Sequence, residues 1–323
     1  MLRLGCHITI GPLELDFVHE VRIESTWQKL TDTCTVQLPR RALVPGGRDL
    51  PSVVKVGDRV VVRYGYDGVL RTEFSGYVVG IKTGPPAEIQ CEDELYLLKR
   101  KALTQNFPAV SLQGLLEYVR DQNGLDFPIQ ALGTANLGKF TINQATGAQV
   151  LDALRKDYGI RCFFRAGTLI AGDPYKAVDV APRHRARFRH NIVTHDLQYV
   201  RAEDVRLKVR AVSHVEGKRK GSRHRLVKEF GDLVDGELRT LNFVGVGEAD
   251  LEARAQAELA RLRFDGYRGS VTLFGVPFVE HGDIVEVLDP DYPERDGAFS
   301  VDKVEKIFGT GGSRRVVKLG PKA

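Results

Sequence analysis

VKVGDRVVVRYGYDG at residues 54–68, followed by FSGYVVGIKTGPPAEIQCED at residues 74–93, decides the fold. Val56-Gly57-Asp58 opens a strand that runs through Arg59, Val60, Val61 and Val62. Asp67-Gly68 then separates it from a second run, Thr72 to Ile81, and Asp-Gly between two such runs is a strong hairpin signal. Gly84-Pro85-Pro86 supplies another turn, and Glu88 to Glu92 the third strand. The same grammar returns near the C-terminus. His281-Gly282-Asp283 opens the strand Ile284 to Val287, a turn lies at Pro290 to Gly297, and Phe299 to Ile307 forms the next strand. Gly309 to Ser313 turns into a last strand, Arg315 to Leu319. In both copies a Gly-Asp pair precedes an alternating strand, and an aromatic residue, Phe74 or Phe299, comes early in the second strand. Matched order across three strands and two turns points to a duplicated β domain, at a period too long for a solenoid.

Working outward, the first hundred residues keep the period of two. Leu13, Leu15 and Phe17 alternate with acidic residues, Val21 and Ile23 with Arg22 and Glu24, and Cys34, Val36 and Leu38 with Thr35 and Gln37. Such alternation marks antiparallel strands with one buried face. From about Leu103 the period changes. Ser111 is an N-cap for a helix carrying Leu112, Leu115, Leu116 and Val119, with Gly124 as its stop. A short strand follows at Lys139 to Ile142, and a second helix carries Val150, Leu151, Leu154 and Tyr158 up to Gly159. An Ala-rich helix, residues 248–264, has Leu251, Ala255, Leu259 and Leu262 on one face. The expected fold is mainly β with α+β insertions: two duplicated antiparallel β-barrel domains plus a small α/β module. The expected boundaries are 1–102, 103–182 and 183–323, the last holding the 248–264 helix and a basic hairpin.

Composition agrees with a globular protein. Of 323 residues, 42% are hydrophobic and 28% charged, too apolar for disorder. The 33 glycines and single methionine suit a turn-rich β chain. No apolar run is long enough to span a bilayer. The N-terminus reads as strand, without the layout of a signal peptide, so synthesis in a bacterial cytoplasm is expected. Cys6, Cys34, Cys91 and Cys162 are dispersed, with no C-x-x-C pair, and read as small buried apolar residues. The net charge of +5 is regional: between Arg183 and Arg225 there are 13 lysines and arginines against 4 acidic residues.

Catalytic and cofactor signatures are missing from the sequence. His184, His190 and His195 sit among arginines, where repulsion disfavours a metal cation. Glu92-Asp93-Glu94 reads as a solvated turn rather than a carboxylate pair. Gly245-Val246-Gly247 lacks the third glycine of a dinucleotide fingerprint, and Gly309 to Ser313 lacks the lysine of a P-loop. No catalytic residue, metal site or cofactor is expected. Arg183, Arg185 and Arg187 alternate into a strand, and Lys218, Arg219, Lys220, Arg223 and Arg225 crowd a hairpin tip. These eight are the candidate surface for an acidic partner subunit. Nucleic-acid binding through OB-like barrels is the alternative, but only Phe188 and Tyr199 lie near for stacking.

The layout resembles the phage tail baseplate hub proteins, the late control protein D family, which is related to the hub portion of type VI secretion spike proteins. The resemblance covers nearly the whole chain. It rests on the two stretches quoted above, on ADLEARAQAELARLRFDG (249–266) leading to SVTLFGVPFVEHGDIVEVLDP (270–290), and on FSVDKVEKIFGTGGSRRVVKLG (299–320). It implies a homotrimer whose two tail-tube-like domains per chain form a pseudo-hexameric ring. That ring would join a hexameric tail tube or distal tail protein to a trimeric spike in the baseplate of a virion with a contractile tail. Tape measure and baseplate wedge proteins are further implied partners. The spike needle and any lysozyme domain would be separate proteins.

Overall fold

The computed structural model describes residues 3–38, 50–133, 135–175, 181–216 and 223–323. Its first unit holds β1 (Leu4–Ile10), β2 (Leu13–Leu15), β3 (Glu20–Thr26) and β4 (Thr33–Leu38). One helical turn, α1 (Leu50–Val53), precedes β5 (Arg59–Tyr66), β6 (Val69–Lys82) and β7 (Ala87–Glu92). The strands pair antiparallel in the order β3-β4-β7-β6-β5-β1-β2. Only residues 16–19 separate β2 from β3, the two ends of that order, so the sheet must curl. Its inward residues, among them Ile8, Leu13, Val21, Val36, Val60, Val62 and Ile89, form one apolar core. Alternation in the sequence becomes alternation in burial, as along β4.

A second core follows. It is built from α2 (Leu95–Leu98), β8 (Ala102–Ser111), α3 (Leu112–Gln122), β9 (Ile129–Leu132), β10 (Asn136–Thr146), α4 (Gly147–Tyr158), β11 (Arg161–Arg165) and β12 (Thr168–Gly172). Ser111 caps α3 by accepting from the Gly114 amide at 3.1 Å. Thr146 and Gln149 close a capping box on α4, which stops at the left-handed Gly159. Leu115, Leu116 and Val119 of α3 pack with Val150, Leu151 and Leu154 of α4. The strand expected at Lys139 to Ile142 extends over the whole of β10 and pairs with β8, which the sequence did not announce. The pairing is bulged and β8 is largely exposed on both faces, so β8 carries no clean period of two.

The third stretch contains β13 (Arg183–Arg187), β14 (Ile192–His195), β15 (Gln198–Val200), β16 (Leu207–Glu216), β17 (Arg223–Gly231) and β18 (Glu237–Val244). After α5 (Glu248–Leu262) come β19 (Gly266–Arg268), β20 (Ser270–Phe274), β21 (Ile284–Leu288), β22 (Gly297–Gly309) and β23 (Gly312–Lys322). β16 to β18 form a separate sheet in the order β17-β16-β18, with α5 packed on Val209 and Ala211. The other strands repeat the first unit. β14-β20-β23-β22-β21-β13 matches β3-β4-β7-β6-β5-β1 position by position. The two ends are again joined by four residues, 188–191, around a single core containing Ala186, Val271, Val285, Phe299, Val301 and Val317. One difference is that β13 pairs parallel with β21, whereas β1 pairs antiparallel with β5.

The repeat extends to single bonds. Gly57 and Gly282 both have positive φ, at 95° and 82°. Each donates to a carbonyl of the following long strand, Val78 or Val301, at 2.8 Å in both copies. Asp58 accepts from the Lys55 amide at 2.8 Å, and Asp283 from the Glu280 amide at 2.9 Å. The Gly-Asp pair thus turns the chain and satisfies the turn's own backbone. A β-bulge falls at the same place in both long strands, between Val78 and Gly80 and between Val301 and Lys303. This register corrects the alignment of the aromatics. Gly76 is equivalent to Phe299 and Phe74 to Gly297, so ring and glycine have exchanged places. In each copy the ring lies over the glycine: a Cβ on Gly76 would come 2.8 Å from Phe74, and one on Gly297 3.0 Å from Phe299.

Candidate functional site

β22 is longer than the strand beside it. Its first residues pair with β21, and residues 303–309, on the same edge, pair with β3 in a seven-residue antiparallel ladder. The two units are thereby fused edge to edge into one 13-stranded sheet. Phe308 crosses the seam into the first unit's core and stacks on Tyr64 at 4.6 Å between ring centroids.

Beside that ring lie four charged groups. Glu73 meets Arg315 at 2.5 Å and Lys306 at 3.2 Å, and Glu280 meets Lys306 at 2.6 Å and Arg315 at 3.5 Å. Arg315 is 1% exposed and also donates to the carbonyls of Gly275 and Val279, both at 3.1 Å. Burial alone would raise the Glu280 pKa, but Lys306 and Arg315 hold its carboxyl below the usual range. Burial likewise opposes the Arg315 cation, and Glu73 with Glu280 outweighs it and raises its pKa. Two carboxylates and two cations leave the seam neutral and locked in register. Sequence reasoning missed this cluster, although parity signals it. Lys306 shares a strand face with Val304 and Phe308, and Arg315 with Val317 and Leu319, so both cations fall on buried positions.

A second polar group sits nearby. The Ser25 hydroxyl donates to Asp32, and the Ser25 oxygen and His281 Nδ1 are 2.7 Å apart. Asp93 accepts from the Asp32 amide, the Leu95 amide and the Thr31 hydroxyl at 2.9, 3.0 and 2.9 Å. Burial pushes the Asp93 carboxyl up to about 7 and lowers the His281 imidazole to about 4. Glu92 pairs with Lys99 at 2.6 Å and Glu94 with Arg59 at 3.3 Å. The expectation of a solvated turn at Glu92-Asp93-Glu94 is therefore corrected at its centre. Asp93 is buried because it ties the loop at Asp32 to the start of α2.

Serine, not histidine, is central in Asp32-Ser25-His281, so the imidazole is not placed between nucleophile and carboxylate as a general base requires. Among the described residues, no group of three or more His, Cys, Asp or Glu could hold a metal ion. His184 instead bonds Asp283 at 2.9 Å, and Arg165 pairs with the same carboxylate. All four cysteines are free and buried, and burial pushes the Cys162 thiol up to about 12. No helix among the described residues is long and apolar enough to cross a membrane.

The basic residues do not form one stripe. Arg183, Arg185 and Arg187 lie on β13, while Arg223 and Arg225 lie on β17 of the separate sheet. Glu286 on β21 takes Arg185 at 3.2 Å and Arg183 at 3.9 Å, and Arg189 pairs with Asp291 at 2.6 Å. Arg187 and Arg225 are exposed, with no carboxylate paired to them among the described residues. β16 and β17 are the two arms of a hairpin in register up to Glu216 and Arg223. Lys218, Arg219 and Lys220 lie outside the described residues.

The sequence matches no protein-family model and no curated protein. Solved structures do match along the whole chain. A tail protein from Neisseria meningitidis superposes with a TM-score of 0.66 at 17% identity, over 99% of this chain and 96% of that one. The chain has the fold of a phage tail protein. The 43 kDa tail protein of prophage MuSo2 from Shewanella oneidensis gives 0.65 at 14% identity, over 98% of both chains. An E. coli component of the type VI secretion system, described as structurally similar to bacteriophage tail proteins, gives 0.61 at 11% identity, over 98% of this chain and 77% of that one. The tail-protein fold is mainly β with large antiparallel sheets, as the sequence led us to expect.

Proposed function

We propose that this chain is a non-enzymatic structural subunit of a phage-type contractile tail or related injection machine, acting as its baseplate hub. Three copies form a ring of six β units, joining a hexameric tail tube or distal tail protein to a trimeric spike. Residues 1–102 and 183–323 are the ring-forming domains, and residues 103–182 a module carried beside them. The observation that supports this most is the duplication. Six strands recur in the same order and the copies are joined edge to edge, which supports a chain that fills two neighbouring positions of a ring. Three such chains imitate sixfold symmetry while keeping threefold symmetry for a spike. The tail-protein fold over the full length supports the same reading.

Arg225 on the β16–β17 hairpin and Arg187 on β13 serve as two separate docking contacts for an acidic subunit of the same machine. Nucleic-acid binding is disfavoured, since Arg183 and Arg185 are engaged by Glu286 and the other candidate cations among the described residues are divided between two sheets. Particle imaging of the chain mixed with its tube and spike partners tests the proposal. A threefold ring between tube and spike is expected. A single copy, or a position away from the tail axis, overturns it.

A further inference from the structure

The seam between the two units has an unmatched counterpart in each unit. Superposing the repeats by their shared Gly-Asp turns and bulges makes residues 80–82 of β6 equivalent to residues 303–305 of β22. The same superposition runs through β4 and β20, where Val36 pairs with Val21 and Val271 with His195. It makes residues 24–26 of β3 equivalent to residues 198–200, which are β15. Within the chain, Lys303, Val304 and Glu305 pair with Thr26, Ser25 and Glu24. Their equivalents have no such partner among the described residues. β6 extends beyond β5 on that edge, and β15 is bonded only to β19.

Burial follows the same division. Ser25 is 3% exposed, whereas its equivalent Tyr199 is 37% exposed. Residues 82–86 at the tip of the first hairpin are exposed, while Lys306, Phe308 and Ser313 of the second are buried. The two free pieces also fit in length. Three residues of β6 project before Thr83, and Pro85 and Pro86 beyond the tip lack the amide needed to lengthen a ladder. β15 offers three residues.

We infer that the β6–β7 hairpin of one copy pairs antiparallel with β15 of a second copy. Gly80, Ile81 and Lys82 lie opposite Val200, Tyr199 and Gln198. This rests on the ring proposed above and names its contact between chains. A head-to-tail contact of this kind closes a ring when its rotation closes. It also occupies the open edges that would otherwise invite unregulated pairing.

Cysteine cross-linking tests the register. Residues directly opposite in an antiparallel pair have Cβ atoms about 5 Å apart, within reach of a disulfide. The four native cysteines are buried and give a quiet background. A Lys82→Cys, Gln198→Cys double variant is expected to oxidise to covalent species of up to three chains, while each single variant runs as one chain. Ile81→Cys with Tyr199→Cys repeats the test should the first pair disturb folding. Wild-type trimers with neither double variant linked overturn this pairing and leave the ring standing. A wild type that stays a single chain by native mass overturns both.

Discussion

The hairpins at residues 69–92 and 297–322 share one plan and end in different surroundings. Both take a bond from the Gly-Asp turn that opens the preceding strand, carry a bulge at the same step and lay a ring over a glycine. The second continues into a ladder with β3, buries two cations and inserts Phe308 into the first unit. The equivalent positions in the first are Thr83 for Lys306, Ala87 for Arg315, Pro85 for Phe308 and Lys55 for Glu280. None of these is buried. The shared part of the hairpin therefore makes the fold, and the divergent tip decides what it joins. One tip is bonded inside the chain, and the other leaves a short edge open among the described residues.

The largest effect expected from breaking this contrast is at Glu73. Glu73→Ala leaves Lys306 and Arg315 with one carboxylate between them, and loss of a partner from a buried ion cluster costs about 3–5 kcal/mol. Ala87→Ser and Thr83→Ala, on the open tip, should stay within about 0.5 kcal/mol. Denaturant midpoints measure both, and equal effects would erase the distinction. Phe308→Ala comes next, at about 3 kcal/mol for an aromatic side chain removed from a packed core. Pro85→Ala should be close to neutral in the same assay.

A pH effect sharpens the comparison further. His281 is 2% exposed, and its equivalent Val56 is 59% exposed. Burial lowers the His281 imidazole to about 4 from 6.5, so between those values the unfolded chain binds more protons than the folded one. Stability from this group is present above pH 6.5 and is lost as pH falls toward 4, by at most roughly 3 kcal/mol. Asp93, pushed up to about 7, acts in the opposite direction, because its folded form holds the proton more tightly. Comparing wild type with His281→Asn cancels the Asp93 contribution. The difference in stability between the two proteins should shift against wild type on acidification, and a constant difference from pH 7 to pH 4 would contradict the assignment. A small effect is expected at Arg185, which is exposed in its pair with Glu286. Arg185→Gln should change the thermal midpoint by the equivalent of about 0–1 kcal/mol.

Much of this fold was legible in the sequence. Alternation gave the strands of both units, Ser111 and Gly159 gave helix ends, and the repeated Gly-Asp pair gave the duplication, because each of these is a local signal. The β16–β18 sheet was only partly seen. β18 pairs parallel with β16 and is exposed along most of its length, so no alternation marks it. The seam was not read at all. A buried lysine looks like a solvated one until the parity of its strand is followed, and contact between residues 73 and 315 has no local trace. The basic run from Arg183 was visible as charge, but its neutralisation by Glu286 depends on the parallel pairing of β13 with β21.

Native mass measurement of the purified chain tests the central claim most directly. A ring of six β units from duplicated chains predicts a species of three times the 35.9 kDa protomer, separating into single chains without intermediate stable forms. A mass of one chain at the concentrations of an assembling particle, or of a closed ring of any other number, would contradict it.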